Sequence, residues 1–493
     1  MNKQLKRVTR VIFALFLALF LGVSMVQFVR ADEYRANELN ERSHRNAFLV
    51  ERGTILVAGQ PVAYSIPTND TFRFQRQYPN GELYAPITGY FSHYQGSSGI
   101  EQAENQALSG VASNQFFTRI QRVLSGQPPM GSAVELTIDP VAQQKAFESL
   151  QGMKGAVVAL DAETGAILAM ASTPSYDPNT LSLNNNAEVI ENYSALEQNP
   201  DKPLFNRAVS GDLYTPGSVF KIITAAAALE SGKYTPDSSL DDAAAFTLPG
   251  TSSVMRNASR GVCVNGEKAT VTEAFVRSCN IPFAELAGGL EANAIQDMAA
   301  KFGFGNEIQV PLRVAPSTVG APSDAAQRAI TAIGQLDVRV TPLQMALISA
   351  TVANGGEMMQ PTLVERVITP DFRVESQREE SVLATPISKV TAAQLKAMMQ
   401  AGVVDPAGLA RNAAISGAVV GGKTGTAEIG NDAAGNPLPY NLWFTGFAER
   451  DGRKIAVAVV VEEGGGAAHN FSALSGDVPT SIGQQVMEAV LSE

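Results

Sequence analysis

The chain has 493 residues, 45% of them hydrophobic, 7% aromatic and 17% charged, which is enough apolar material for a large core and more than one domain. Its formal net charge is -11, and because the first ten residues hold four cations and no acid, everything beyond them sums to -15. That composition excludes an intrinsically disordered chain, and the acidic body disfavours nucleic acid as a partner.

Lys3, Lys6, Arg7 and Arg10 precede VIFALFLALFLGVSMVQFV, residues 11–29, nineteen positions without a charge. Such a run is long enough to cross a bilayer as a helix. A secretory leader also has a basic start and an apolar run, but this run is long for a leader, and QFVRADE is a weak cleavage site. The expectation is an uncleaved plasma-membrane anchor, with residues 1–10 cytoplasmic and the body extracytoplasmic, as positive charge ahead of the span dictates. Residues 31 to about 45 form a polar, helix-patterned stalk. Residues 46–127 mix strand-like pieces such as TILVAG and PVAYSI with turn-rich HYQGSSG, and QPPMGS at 127–132 carries the prolines and glycine of a linker. The division expected is therefore a non-catalytic region over 30–130 and a larger domain over 131–493.

Beyond the linker, GAVVALDAETGAILAMAS (155–172) is two apolar runs around a turn, a hairpin pattern. Helical segments fill most of 218–400, and strands return in VVGGKTGTAEI, LWFTGFAER and RKIAVAVVVEE before a closing helix in PTSIGQQVMEAVLS. Strands, helices, strands and a helix predict an α+β domain whose sheet is assembled from both ends.

Within TPGSVFKIIT (215–224), Pro216 and Gly217 punctuate the start of a helix running to Ser231, with Gly232 as its stop. Ser218 and Lys221 are then neighbours at i and i+3, so the amine can reach the hydroxyl. A serine ahead of an apolar run is commonly a helix cap, and Ser-x-x-Lys alone is a weak motif. Two further elements change its weight: Ser278-Cys279-Asn280 and Lys423-Thr424-Gly425, the latter in strand-like VGGKTGTAE. Ser-x-Asn also occurs at Ser182 to Asn184, but only the Ser278 copy lies between the other two elements in the order of the serine acyl-transferase signature. Cys263 and Cys279 are the only cysteines, and in an exported chain they are expected to form a disulfide. His44, His93 and His469 are scattered without ligand spacing, so no metal or other cofactor is expected.

Together these segments, with GAVVALDAETGAILAMASTPSYDPN and WFTGFA, resemble the transpeptidase domain of a penicillin-binding protein from about residue 133 onward. RGTILVAG and GIEQAENQALSG upstream resemble weaker motifs of the class B, monofunctional type, and within it the chain is most similar to the actinobacterial penicillin-binding protein A group. The resemblance implies a penicillin-binding/serine β-lactamase-like fold, a central antiparallel sheet flanked by helices plus an all-helical lobe, behind a smaller mixed N-terminal domain. It also implies a D,D-transpeptidase that acts on peptidoglycan stem peptides and is acylated by β-lactams. Ser218 would be the nucleophile, Lys221 its base, Ser278 the proton carrier to the leaving nitrogen, and Asn280 a holder of the lysine and the substrate amide. Lys423 would add positive charge, Thr424 and Thr426 would grip the terminal carboxylate beside Gly425, and the backbone N–H groups of Ser218 and Thr426 would form the oxyanion hole. Division or elongation proteins, including a glycosyltransferase, are the implied partners.

The same chemistry also serves β-lactamases and D,D-carboxypeptidases. A β-lactamase fits less well, since these usually lack an anchor and a separate N-terminal region, and no Glu-x-x-Leu-Asn follows the Ser278 element. A non-catalytic scaffold or antibiotic sensor is disfavoured by the complete set of nucleophile, lysines and asparagine.

Overall fold

The computed structural model describes residues 2–30, 34, 50–70, 72–110, 130–211, 213–264 and 266–492. The uncharged N-terminal run lies in helix α1, Asn2–Ser24, as far as Ser24, and its last five residues in the π-helical turn Met25–Val29 that follows. An eighteen-residue window within the Lys3–Gln27 stretch has a mean hydropathy of 2.2 with none of it buried, and among the described residues that stretch is the one helix long and apolar enough to cross a membrane. The expected stalk lies outside the described residues apart from Tyr34, as do the first three positions of the expected linker.

A six-stranded sheet forms the N-terminal unit. Its strands are β1 (Ile55–Val57), β2 (Gln60–Pro67), β3 (Phe74–Gln77), β4 (Ala133–Leu136), β7 (Val364–Ile368) and β8 (Val374–Gln377), in the order β8-β7-β4-β1-β2-β3. The pair β1–β4 is parallel and β4–β7 antiparallel, so strands from both sides of residue 130 share one sheet. Beneath it, Glu101 is fully buried and receives Arg52 Nε at 2.5 Å and Arg76 Nε at 2.6 Å, with the Tyr78 hydroxyl at 3.2 Å. A buried carboxylate between two guanidiniums avoids the heavy cost of an unpaired charge.

The expected hairpin is present as β5 (Gly155–Asp161) and β6 (Ile167–Thr173), its turn closed by Asp161 Oδ1, which accepts from the N–H groups of Glu163 and Thr164. The three C-terminal strands are β9 (Val419–Ala427), β10 (Asn441–Arg450) and β11 (Arg453–Val461). Order β9-β10-β11-β5-β6, antiparallel throughout, joins the two ends of the domain through the β11–β5 pair. In β5 and β11, six and seven consecutive residues are buried, as expected of strands covered on both faces. Helices α2 (Pro140–Ser149) and α8 (Val478–Leu491) cover one face, where Ala146, Val486 and Val490 meet Val157 and Val459. Helix α6 (Pro342–Ala353), buried along its whole length, covers the other, which it shares with α3 (Lys221–Glu230) and the helical lobe. The lobe holds α4 (Val271–Val276) and α5 (Ile281–Gly289), and α7 (Lys389–Val404) packs beside β9.

Candidate active site

Ser218 lies in a 3-10 turn, Gly217–Phe220, that continues into α3. The helix expected over 218–231 therefore begins with a tighter turn, in which side chains at i and i+3 eclipse, and Lys221 follows Ser218 at that spacing. Val219 and Phe220 are buried while Ser218 is half-buried, so the turn is anchored from below and its hydroxyl is left accessible. Two glycines let this turn lie against β9. Gly217 has φ +56°, and a Cβ there would stand 2.6 Å from the Thr426 carbonyl oxygen. A Cβ on Gly425 would stand 2.8 Å from the Pro216 carbonyl oxygen. Bare Cα atoms at both positions allow the backbone around Ser218 to meet the backbone around Thr426.

Lys221 is fully buried, and its Nζ donates to the Ser278 carbonyl oxygen at 2.8 Å and to Asn280 Oδ1 at 2.9 Å. The direct bond from Lys221 to Ser218 that helical spacing allows is not made: among the described residues the Ser218 hydroxyl has no hydrogen-bond partner, because the lysine is held by the Ser278–Asn280 loop. Catalytic contacts often tighten only when substrate binds. Ser278 occupies the left-handed region at φ +60°, uncommon for a residue with a Cβ, between α4 and α5. There it faces both lysines at once: its carbonyl takes Lys221, and its hydroxyl accepts from Lys423 Nζ at 2.8 Å.

Lys423, only 3% exposed, also donates to the Thr424 carbonyl at 3.0 Å. Burial lowers its pKa from 10.5 to about 7. Burial, and secondly the neighbouring Lys423 charge, hold Lys221 well below the ordinary lysine range. Among the described residues neither lysine has a carboxylate within ion-pair distance; instead the Phe283 ring lies 5.3 Å from Lys221 Nζ and the Phe275 ring 5.7 Å from Lys423 Nζ. The two threonines stand in different surroundings: Thr424 is 2% exposed, whereas Thr426 is exposed and its hydroxyl reaches Ser475 Oγ at 3.3 Å.

Cys263 and Cys279 are joined in a disulfide, so the middle residue of the Ser278–Asn280 element is tethered. Three neighbours had no signal in the sequence. Ser475 approaches from the loop before α8, while Asn257 and Asp242 support the Ser278–Asn280 segment from turn-rich chain. Among the described residues no cluster of metal-ligating side chains occurs. A neutral amine beside an accessible hydroxyl, with a second lysine and a serine hydroxyl in contact, can deprotonate a nucleophile and return the proton to a leaving group.

The family model of the penicillin binding protein transpeptidase domain matches residues 155–488, and that of the penicillin binding protein A dimerisation domain matches 52–134. The chain is 40% identical to peptidoglycan D,D-transpeptidase PbpA of Mycobacterium tuberculosis over 497 residues, covering 100% of this chain and 99% of that one. Its identity to the PbpA of Mycolicibacterium smegmatis is 38%, covering 100% of both. Among solved structures, the ceftriaxone acyl-enzyme complex of M. tuberculosis penicillin-binding protein A superposes with a TM-score of 0.85 at 39% identity, covering 91% of this chain and 100% of that one. Its penicillin G acyl-enzyme complex gives 0.83 at 39% identity, covering 90% and 100%.

Proposed function

We infer, for a chain that belongs to the class B penicillin-binding protein transpeptidases, that Ser218 is the nucleophile with which it cross-links peptidoglycan stem peptides. The enzyme is a peptidoglycan D,D-transpeptidase. The observation that carries the assignment of Ser218 is the pair of buried, carboxylate-free lysines beside it, since an amine acts as a base only when neutral.

Lys221 Nζ takes the Ser218 proton as Oγ attacks the carbonyl of the penultimate D-alanine. The oxyanion forms against the backbone N–H groups of Ser218 and Thr426, where preorganised donors stabilise developing charge. Ser278 passes a proton to the departing nitrogen, the C–N bond breaks, and the last D-alanine leaves. An amine of a second stem peptide then attacks the ester, its proton returns through the same groups, and Ser218 is regenerated. Asn280 holds Lys221 and the substrate amide, and Thr424, Thr426 and Lys423 receive the terminal carboxylate. A β-lactam enters the first half of this path and stops at the ester.

Helix α1 is read as a single-pass anchor with its N-terminus cytoplasmic, residues 30–130 as a pedestal, and 131–493 as the catalytic domain. Cell wall synthesis or division proteins, including a glycosyltransferase, are the partners for which the pedestal suits. The test is intact mass after incubation with a labelled penicillin. A stable one-to-one adduct, absent from Ser218→Ala, is expected; an adduct that persists in Ser218→Ala, or none in the unmodified protein, would overturn the assignment.

A further inference from the structure

Asn280 begins α5, where an asparagine usually turns its own side chain onto the exposed N–H groups of the first turn. It makes no such bond here, because its Oδ1 is occupied by Lys221 Nζ. The start of α5 is instead held from elsewhere in the chain, at the N–H groups of Asn280 and Ile281. Asn257 Oδ1 accepts from Asn280 N–H at 2.9 Å and from Ile281 N–H at 3.0 Å. The preceding carbonyl, that of Arg256, accepts from Asn280 Nδ2 at 3.0 Å. Residues 256 and 257 thus fix Asn280 at its backbone and at its amide, leaving Oδ1 directed at the lysine.

Asn257 is itself fixed. It is 3% exposed, and its Nδ2 donates to the carbonyls of Gly261 at 3.1 Å and Ala243 at 3.3 Å and to Asp242 Oδ1 at 3.4 Å. Asp242, 2% exposed, accepts in turn from Cys263 N–H at 2.8 Å and Val264 N–H at 2.5 Å. We propose that Asn257 is a positioning residue for acyl transfer: by accepting from the N–H groups of Asn280 and Ile281 it fixes the start of α5, and so holds the Asn280 side chain where it sets the Lys221 nitrogen. This rests on Lys221 being the base.

The experiment uses the full chain in detergent micelles, a fluorescent penicillin, acylation rates across roughly pH 5.5 to 9, and the thermal midpoint of each variant. Asn257→Ala is expected to slow acylation about a hundredfold at neutral pH with little change in non-covalent affinity. Among the described residues Lys423 on β9 is the one charged group acting on Lys221, so losing the Asn280 acceptor removes support for the ammonium, and the acid limb of the rate profile moves to lower pH. Asn257→Asp keeps the oxygen that accepts from Asn280 and Ile281 but turns a carboxylate oxygen on Asp242 and on the Gly261 and Ala243 carbonyls, and is expected to be as slow. An acylation rate that falls only with the thermal midpoint, with the acid limb unmoved, would overturn the proposal. A Lys221→Ala variant that still acylates would instead overturn the assignment of the base.

Discussion

Replacing Lys423 with methionine keeps an unbranched side chain without the terminal amine and its charge, which separates what this residue costs in stability from what it contributes to the site. In the unfolded chain the amine ionises at its ordinary 10.5, and in the folded protein burial brings this to about 7. At about 1.4 kcal/mol per tenfold in proton affinity, housing the amine costs about 5 kcal/mol at pH 7. Its bonds to Ser278 Oγ and the Thr424 carbonyl return about 1 kcal/mol each. Lys423→Met is therefore expected to be more stable by about 3 kcal/mol at neutral pH, and at least a hundredfold slower to acylate. Between about pH 7 and 10.5 the unfolded state binds more protons than the folded one, so the wild-type protein gains stability as pH rises. The advantage of the variant should shrink across that window. Urea titrations at pH 7, 8.5 and 10, beside penicillin acylation rates, check both halves. A variant less stable than wild type at pH 7, or a difference that does not depend on pH, would refute the reasoning.

Gly425→Ala puts a methyl group 2.8 Å from the Pro216 carbonyl oxygen, so the turn that carries Ser218 must retreat from β9; acylation should slow at least about tenfold, read by stopped-flow quenching. Removing the Cys263–Cys279 bond by double serine substitution releases a loop of sixteen residues, with an expected loss of about 3 kcal/mol and a slower acylation. Unchanged rate and melting temperature would show that the tether does not act on Ser278 and Asn280. Glu101→Ala leaves Arg52 and Arg76 buried without their carboxylate and should cost about 3–5 kcal/mol by urea denaturation, with the acylation rate of the surviving folded protein unchanged.

The Ser218, Ser278–Asn280 and Lys423–Gly425 elements that the fold brings together were legible because they sit in short stretches with strong local signals. A proline-glycine turn announces Ser218, and a valine-rich strand pattern surrounds the central sheet. The second Ser-x-Asn shows what sequence alone leaves open: Ser182 bonds the Pro178 carbonyl and Asn184 bonds Asp70, so that copy is consumed in turn and surface contacts. Asn257 and Asp242 were not legible, since they act through hydrogen bonds between turns distant in sequence, which no periodicity marks. Nor could spacing reveal that Lys221 bonds the Ser278–Asn280 loop in preference to Ser218, because that choice is made by tertiary contacts fifty-seven and fifty-nine residues away.

The sheet that mixes β1, β2, β3 and β4 with β7 and β8 sets an order of completion. Synthesis delivers the first four strands early, yet the open side of β4 waits for residues 364–368, and the Ser132 hydroxyl waits for Glu375, which it meets at 2.8 Å. An unpaired strand edge invites pairing with other chains. The N-terminal sheet is thus sealed only by residues made long after its first strands, and a chain stopped anywhere between residues 137 and 363 carries an exposed edge in that sheet however well the unit has begun to form.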